Sequence, residues 1–306
     1  MNNIKLIKRA EVLGYCMGVK KAVDAVLNAL AENKQNGSKF KIYTFGPLIH
    51  NPATMEYLKK CGVQTIYSEE FEKEQSYINS KVIIRAHGIS PEQEKKIKES
   101  GAKIINATCP RVVLSQKKAA DFSKDAFIIL AGDKNHGELI SISGYACIKK
   151  KNNCIIVQNA GEAASISFPE KIISGMGKAV LIAQTTIKQS EYEAIAAILK
   201  KRILNLTVLN TICPATFERQ QALKKLLNEV EAVLVIGGKN SANTKRLLQT
   251  ALTFKKPAWL IEDSSEIPEE IFKYNSVGIT AGASTPNFII EDVEKSLQNK
   301  QLTTLP

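Results

Sequence analysis

Three cysteines recur at the same place in a repeated pattern of this 306-residue chain. Cys16, Cys109 and Cys213 each end an apolar run and come directly before an amphipathic helical stretch. One cysteine in each third of the chain, always where a strand meets a helix, predicts that the three thiols converge on one site. No C-x-x-C pair occurs, which disfavours zinc ribbons and redox dithiols.

Three thiolates without a fourth fit two kinds of metal centre. Zinc could be held by three cysteines and one histidine. A [4Fe–4S] cluster held by three cysteines leaves one iron open to substrate, where it acts as a Lewis acid and electron donor. The residues alone leave both possibilities open.

All three histidines of the chain follow predicted strands. Ligands bind beyond the carboxyl ends of parallel strands, so His50, His87 and His136 are expected at the site, as metal ligands or as donors to an anion. Glu138 suits a proton donor; the alternative interpretation is a helix-start carboxylate.

Hydroxyl and amide groups follow other strands. Thr185 and Thr186 offer adjacent hydroxyls, although threonines also cap helices. The segment 237–243, GGKNSAN, sets flexible backbone, amides and a hydroxyl before a helix, which is typical of phosphate binding but lacks Walker spacing. The segment 282–286, GASTP, gives a similar, weaker signal.

These residues are positioned by strands and helices that alternate in three similar periods. The third period lacks its last strand, and the N-terminal segment 4–13 is predicted to supply it. Such alternation predicts an α/β fold with largely parallel sheets.

Composition is that of a soluble globular protein, with 44% hydrophobic and 24% charged residues. No membrane-length apolar stretch or signal-peptide core occurs, which predicts a cytoplasmic protein. The net charge of +12 is spread over many lysines, which favours a solvated surface that attracts anions over a nucleic-acid site. Cys61, Cys147 and Cys154 are predicted to be small buried hydrophobes.

Seven short segments, in order and from end to end, carry a family resemblance. The chain resembles the 4-hydroxy-3-methylbut-2-enyl diphosphate reductase family, which ends the methylerythritol phosphate route to isoprenoids. The segments are GYCMGV at 14–19, AHG at 86–88, ATCP at 107–110, QTT at 184–186, TIC at 211–213, KNS at 239–241 and TAGAS at 280–284.

The resemblance implies a trefoil of three pseudo-threefold-related α/β lobes with mainly parallel sheets around a central iron–sulfur cluster. The lobes would be 17–108, 109–210, and 211–306 together with 1–16. The implied reaction is a two-electron reductive dehydroxylation of 4-hydroxy-3-methylbut-2-enyl diphosphate to isopentenyl and dimethylallyl diphosphate.

The resemblance also implies a role for each motif residue. One [4Fe–4S] cluster would be ligated by Cys16, Cys109 and Cys213. Glu138 would deliver protons, helped by the Thr185 hydroxyl. The substrate would be bound by His50, His87, His136, Thr186, Ser241, Ala242, Asn243 and Ser284.

The implied partner is flavodoxin or ferredoxin as electron donor to a monomer. Three positions depart from the family pattern: Ala242 replaces a frequent second serine, Gly137 the usual proline, and Pro214 a common aromatic residue. Two alternatives are another three-cysteine cluster enzyme, of the quinolinate synthase type, and a zinc-stabilised basic module that binds RNA.

Overall fold

Three four-stranded parallel sheets are found in a computed structural model of the chain. His50, one of the predicted substrate residues, lies outside the residues that the structure describes. Those residues are 4–37, 39–49, 51–71, 76–239 and 241–302. The chain forms two compact units, unit 1 with residues 1–20, 49–62 and 214–306 and unit 2 with residues 21–48 and 63–213.

Unit 1 contains one sheet, with strand order β1-β12-β10-β11. Its strands are β1 (Leu6–Arg9), β10 (Ala232–Ile236), β11 (Ala258–Ile261) and β12 (Ser276–Ala281). Its helices are α2 (Pro52–Lys60), α10 (Ala215–Leu227), α11 (Ala242–Thr253) and α12 (Asn287–Leu302), with short 3-10 helices at Ser264–Glu266 and Glu269–Lys273. The N-terminal strand β1 lies parallel to β12, which confirms that the start of the chain completes the third sheet.

Unit 2 contains two sheets, with strand orders β3-β2-β4-β5 and β7-β6-β8-β9. The strands are β2 (Lys41–Phe45), β3 (Val63–Ile66), β4 (Ser80–Ile84), β5 (Lys103–Asn106), β6 (Ala126–Ala131), β7 (Cys154–Val157), β8 (Lys178–Ala183) and β9 (Leu206–Leu209). The helices are α3 (Ser68–Phe71), α4 (Pro91–Glu99), α5 (Pro110–Phe122), α6 (Gly137–Ala146), α7 (Ala160–Ser165), α8 (Glu170–Ile173) and α9 (Gln189–Arg202). Helix α1 (Met17–Gln35) begins in unit 1 and continues in unit 2.

The three sheets have equivalent strand orders, which confirms the predicted fold class of three α/β lobes with parallel sheets. In each sheet one edge strand, β1, β5 or β9, leads towards a cysteine. The residue boundaries proposed for the lobes stay a prediction.

Two central strands, β6 and β10, are apolar and buried along their whole length. Every residue of β6 (AFIILA) and of β10 (AVLVI) is buried. Such runs are typical of parallel sheets that are covered on both faces, and each buried isoleucine or leucine contributes about 1.5–3 kcal/mol.

Local signals also set where helices begin. Ser90 caps α4, because its hydroxyl accepts the Gln93 N–H at 3.2 Å and the Gln93 side chain accepts the Ser90 N–H at 3.0 Å. Pro91 then occupies the first helical position, as the sequence predicts. In the part of the chain that the structure describes, no helix has the length and apolarity needed to cross a bilayer.

Candidate active site

The three predicted cluster cysteines are held by the same backbone hydrogen bond. Each cysteine N–H donates to a carbonyl in the loop that follows the strand next to its own edge strand. The donor–acceptor pairs are Cys16 with Ala283 at 3.1 Å, Cys109 with Ala86 at 3.0 Å and Cys213 with Thr185 at 2.8 Å. The residue after each acceptor is a predicted substrate residue, namely Ser284, His87 or Thr186. Each cysteine is therefore fixed beside one loop that carries a predicted substrate residue.

The cysteines also share their position before a helix. Cys109 is the N-cap of α5, Cys16 directly precedes α1, and Cys213 lies two residues before α10. All three are half-buried, and none of them forms a disulfide. Soft thiolate donors fit an iron–sulfur cluster.

Among the described residues no three His, Cys, Asp or Glu side chains are grouped to hold one metal ion. The absence of such a group bears on a site for a single metal ion. In an iron–sulfur cluster each thiolate binds a different iron, so the cysteine ligands lie farther apart than the ligands of one ion.

Glu138 lies in the first turn of α6 with 1% of its surface exposed. The Thr185 N–H donates to its Oε1 at 2.6 Å, and the Thr185 hydroxyl donates to its Oε2 at 2.7 Å. Burial raises the pKa of Glu138, and the two hydrogen bonds from Thr185 oppose that rise. The position of Glu138 in the first turn of α6 fits the alternative of a helix-start carboxylate. Its burial favours a protonated carboxyl group instead.

Two histidine rings meet at the start of α6 in unit 2. His136 is the N-cap of α6, and its Nδ1 accepts the Glu138 N–H at 3.2 Å. In the neutral ring the proton is therefore assigned to Nε2. The rings of His87 and His136 meet edge to face, with centroids 4.7 Å apart.

Gln184 orients the second threonine of the QTT motif. Its Nε2 donates to the Thr186 hydroxyl at 3.0 Å, and its Oε1 accepts the Asp133 N–H at 2.9 Å. Gly132, at φ 146°, lies so close that a Cβ there would stand 2.3 Å from the Gln184 Oε1. Glycine is needed here both for the backbone conformation and for the close approach.

Unit 1 carries its own group of predicted polar residues at the start of α11. Ser241 caps the helix by accepting the Thr244 N–H at 3.3 Å. Both amide atoms of Asn243 are shielded from solvent and have no hydrogen-bond partner among the described residues. An unpaired buried amide costs about 1–3 kcal/mol, which indicates that a ligand supplies its partner. The N-terminus of this helix favours an anion.

Ala242 and Ser284 are the remaining predicted substrate residues that the structure describes in unit 1. Ala242 is the first residue of α11. Ser284 is half-buried and follows Ala283, the acceptor for Cys16.

Sequence reasoning missed Arg219, which is 2% exposed within α10. Its Nη2 donates to the Gly14 carbonyl at 2.6 Å, and its Nη1 donates to the Ala215 carbonyl at 3.2 Å. Arg219 therefore positions the loop that leads to Cys16. The sequence FERQQ around it gives no sign that this arginine is buried.

A second missed link joins α5, α6 and the loop after His87. Gln116 donates to the Ser141 hydroxyl at 2.6 Å, and Ser141 donates to the Ile89 carbonyl at 3.1 Å. The sequence does indicate that Gln116 is buried, because helical spacing puts Ser115 and Gln116 on the same face of α5 as the apolar Val112.

The prediction of three further buried cysteines is wrong for Cys61, which is exposed at the end of α2. The prediction was based on residue type alone. Cys61 is the C-cap of α2 and precedes Gly62, and this position leaves its side chain in solvent. Cys147 and Cys154 are half-buried.

The family model described as LytB protein matches residues 7–298 of the chain. That match covers nearly the whole sequence. The chain belongs to the LytB protein family. Two curated LytB relatives named 4-hydroxy-3-methylbut-2-enyl diphosphate reductase come from Treponema denticola and Aquifex aeolicus. The first is 63% identical and the match covers 95% of this chain and 99% of the relative; the second is 38% identical and covers 94% of each.

Solved structures agree with this LytB assignment. The structure of (E)-4-hydroxy-3-methyl-but-2-enyl diphosphate reductase, the terminal enzyme of the non-mevalonate pathway, superimposes with a TM-score of 0.77. It is 36% identical, and the match covers 98% of this chain and 100% of that one. The corresponding reductase from Plasmodium falciparum is 28% identical with a TM-score of 0.75, over 99% of this chain and 89% of that one.

Proposed function

We propose that this LytB protein reduces 4-hydroxy-3-methylbut-2-enyl diphosphate to isopentenyl and dimethylallyl diphosphate. The names of its relatives support this substrate. The observation that carries the proposal is the repeated hydrogen bond that ties each of Cys16, Cys109 and Cys213 to a loop with a predicted substrate residue.

One [4Fe–4S] cluster would be held by these three cysteines. When bound, it supplies the reducing electrons and a Lewis-acidic iron. The chain contributes three half-buried cysteines without disulfides, each at or just before the start of a helix, and Arg219 holds the loop before Cys16.

By the motif assignment, the diphosphate would be bound by the Ser241 and Ser284 hydroxyls, the Asn243 amide and the start of α11, with Ala242 contributing only its backbone. His50, His87 and His136 complete the proposed set of donors, and Thr186 would line the substrate. Charge-assisted hydrogen bonds from many donors suit a ligand with two to three negative charges.

Glu138 would hold the proton that the leaving hydroxyl needs. Its Oε1 accepts a fixed backbone N–H, so the proton belongs on Oε2, which faces the Thr185 hydroxyl. That hydroxyl can rotate, accept the proton from Oε2 and pass its own proton on. The hydroxyl of the substrate then leaves as water.

An acidic electron carrier such as flavodoxin or ferredoxin would suit the net charge of +12. A monomeric, cytoplasmic protein with lobes at 17–108, 109–210, and 211–306 with 1–16 completes the proposal.

Anaerobically purified protein tests the proposal directly. It should contain iron and sulfide and convert the substrate, with a chemical reductant, to both isomeric products. Serine variants of Cys16, Cys109 and Cys213 should lose iron, whereas C61S should keep it. Zinc in place of iron, with salt-sensitive RNA binding and no turnover, would instead establish the RNA-binding alternative.

A further inference from the structure

A lysine side chain in unit 2 ends at the carbonyl group directly before one of the proposed cluster cysteines. Lys21 lies in α1, and its ammonium group donates to the Thr108 carbonyl at 2.9 Å. Thr108 is 1% exposed and immediately precedes Cys109. Both Lys21 and Thr108 belong to unit 2. The positive charge of Lys21 is therefore held beside the residue that leads into Cys109.

The turn before Cys109 does not need the lysine in order to form. The Thr108 N–H donates to the side-chain oxygen of Asn106 at 3.0 Å. In the equivalent turn before the third cysteine, the Ile212 N–H donates to the side-chain oxygen of Asn210 at 3.2 Å. That second turn forms without a lysine bonded to it among the described residues. An asparagine is therefore enough to build such a turn.

A second cation has the same position relative to a cysteine in unit 1. Arg219 lies in α10, and its Nη2 donates to the Gly14 carbonyl at 2.6 Å. Gly14 lies two residues before Cys16 in the chain. In both units a basic side chain from a helix thus binds a carbonyl group just upstream of a proposed cluster ligand.

The position of Lys21 is not explained by ion pairing or by the stability of its own helix. Within the part of the chain that the structure describes, no acidic side chain forms an ion pair with Lys21. Lys21 is exposed and lies near the N-terminus of α1, whose first turn contains no acidic residue. The helix dipole at this end disfavours a cation. The charge of Lys21 is therefore left to act on the loop that it contacts.

We propose that Lys21 raises the reduction potential of the iron–sulfur cluster that Cys109 would help to hold. Each electron that such a cluster takes from a reductant adds one negative charge, and a nearby ammonium group stabilises that charge. Net charge and hydrogen bonding around an iron–sulfur cluster set its reduction potential. Lys21 acts through the field of its charge and is not a catalytic residue. The inference rests on the cluster of the proposed function.

Redox titration of the anaerobic, iron-loaded protein with dithionite, followed by electron paramagnetic resonance, tests this inference without substrate. The variant K21R keeps the charge and should keep the midpoint potential of the wild type. K21Q keeps a donor for the Thr108 carbonyl but loses the charge, and K21M loses both. The midpoint potentials of K21Q and K21M should both shift to more negative values. Iron content should stay at the wild-type level, because the turn before Cys109 keeps its own hydrogen bonds.

The variant K34M is the matched control for the loss of one positive charge. Lys34 is exposed in the last turn of α1, about 20 Å along the helix axis from Lys21. At that distance water and salt screen its charge, so K34M should have the wild-type midpoint potential.

The titration separates this inference from the proposed function. Unchanged potentials in K21Q and K21M, or an equal shift in K34M, would overturn the inference. A shift in K21M that K21Q does not share would assign Lys21 a role in hydrogen bonding and would also overturn it. A wild-type protein with a titratable cluster but no turnover would contradict the proposed function alone. A wild-type protein without a cluster would contradict both.

Discussion

At the scale of single residues, the chemistry depends on how Thr185 holds Glu138. One threonine occupies both carboxyl oxygens, through a backbone N–H that cannot turn and a hydroxyl that can. Burial keeps the proton on the carboxyl group to higher pH than usual, and the hydroxyl gives that proton a way out. Asn243 differs from Glu138 in this respect. Neither the nitrogen nor the oxygen of its buried side-chain amide has a hydrogen-bond partner among the described residues.

Replacing Glu138 by glutamine should lower turnover about 10²–10⁴-fold, the usual contribution of a general acid, because a side-chain amide is not acidic enough to protonate the leaving hydroxyl. Iron content should stay at the wild-type level. Turnover by the exposed-carboxylate variant E193Q should match the wild type. Unchanged turnover by E138Q in a product-formation assay would contradict the assignment.

The pH dependence of turnover follows from the same carboxyl group. In the proposed reaction its protonated form is the active one, so turnover should fall as pH rises through the raised pKa of Glu138. The Thr185 hydroxyl lowers that pKa, so T185V should move the falling limb to higher pH and T185S should restore it. If the fall in turnover occurs at the same pH in T185V as in the wild type, it does not arise from the titration of Glu138.

Replacing Asn243 by alanine should weaken substrate binding without weakening the fold. A lost hydrogen bond to a charged group corresponds to a KM about 10–100-fold higher. The unfolding temperature of the substrate-free protein should stay the same or rise, because an unpaired buried amide is removed. The exposed Asn228 gives the control variant N228A; a fall in stability with an unchanged KM would assign Asn243 a structural role.

At the scale of elements, the site is set by where strands end and helices begin. The repeated cysteine hydrogen bonds follow from equivalent strand orders in three sheets, so the same junction is built three times. The sequence was sufficient for this level, since apolar runs and cysteine spacing predict the strands and their carboxyl ends. It could not reveal the partners of Arg219 or of Gln116, because a polar residue on a helix shows its partners only after the chain has folded; for Gln116 the helical spacing does indicate burial.

Replacing Arg219 by methionine should loosen the loop before Cys16. Two hydrogen bonds from a buried guanidinium are lost, at a cost in unfolding free energy of roughly 2–3 kcal/mol, and iron content should fall with them. The matched variant K225M removes an exposed cation on the same helix and should change stability by less than about 0.5 kcal/mol. Equal iron contents in R219M and K225M would argue against a positioning role.

At the scale of the whole molecule, the net charge would affect how fast a protein electron donor associates with the chain. The 42 basic and 30 acidic residues give a positive net charge, whose field would attract the proposed acidic protein donor and the anionic substrate. Turnover with a limiting acidic donor should fall at least about tenfold as salt is raised from low to high concentration. Turnover with reduced methyl viologen, a small cation, should not fall in this way, and equal salt dependence of the two would contradict electrostatic steering.

The central claim is a reductive removal of the substrate hydroxyl, and a count of electrons tests it most directly. Anaerobic protein loaded with its cluster is given a known, limiting amount of reductant, and the remaining substrate and both products are measured. The account predicts one molecule of product for every two electrons, with isopentenyl and dimethylallyl diphosphate summing to the substrate consumed. Substrate loss without consumption of electrons, or electron consumption without either product, would contradict it.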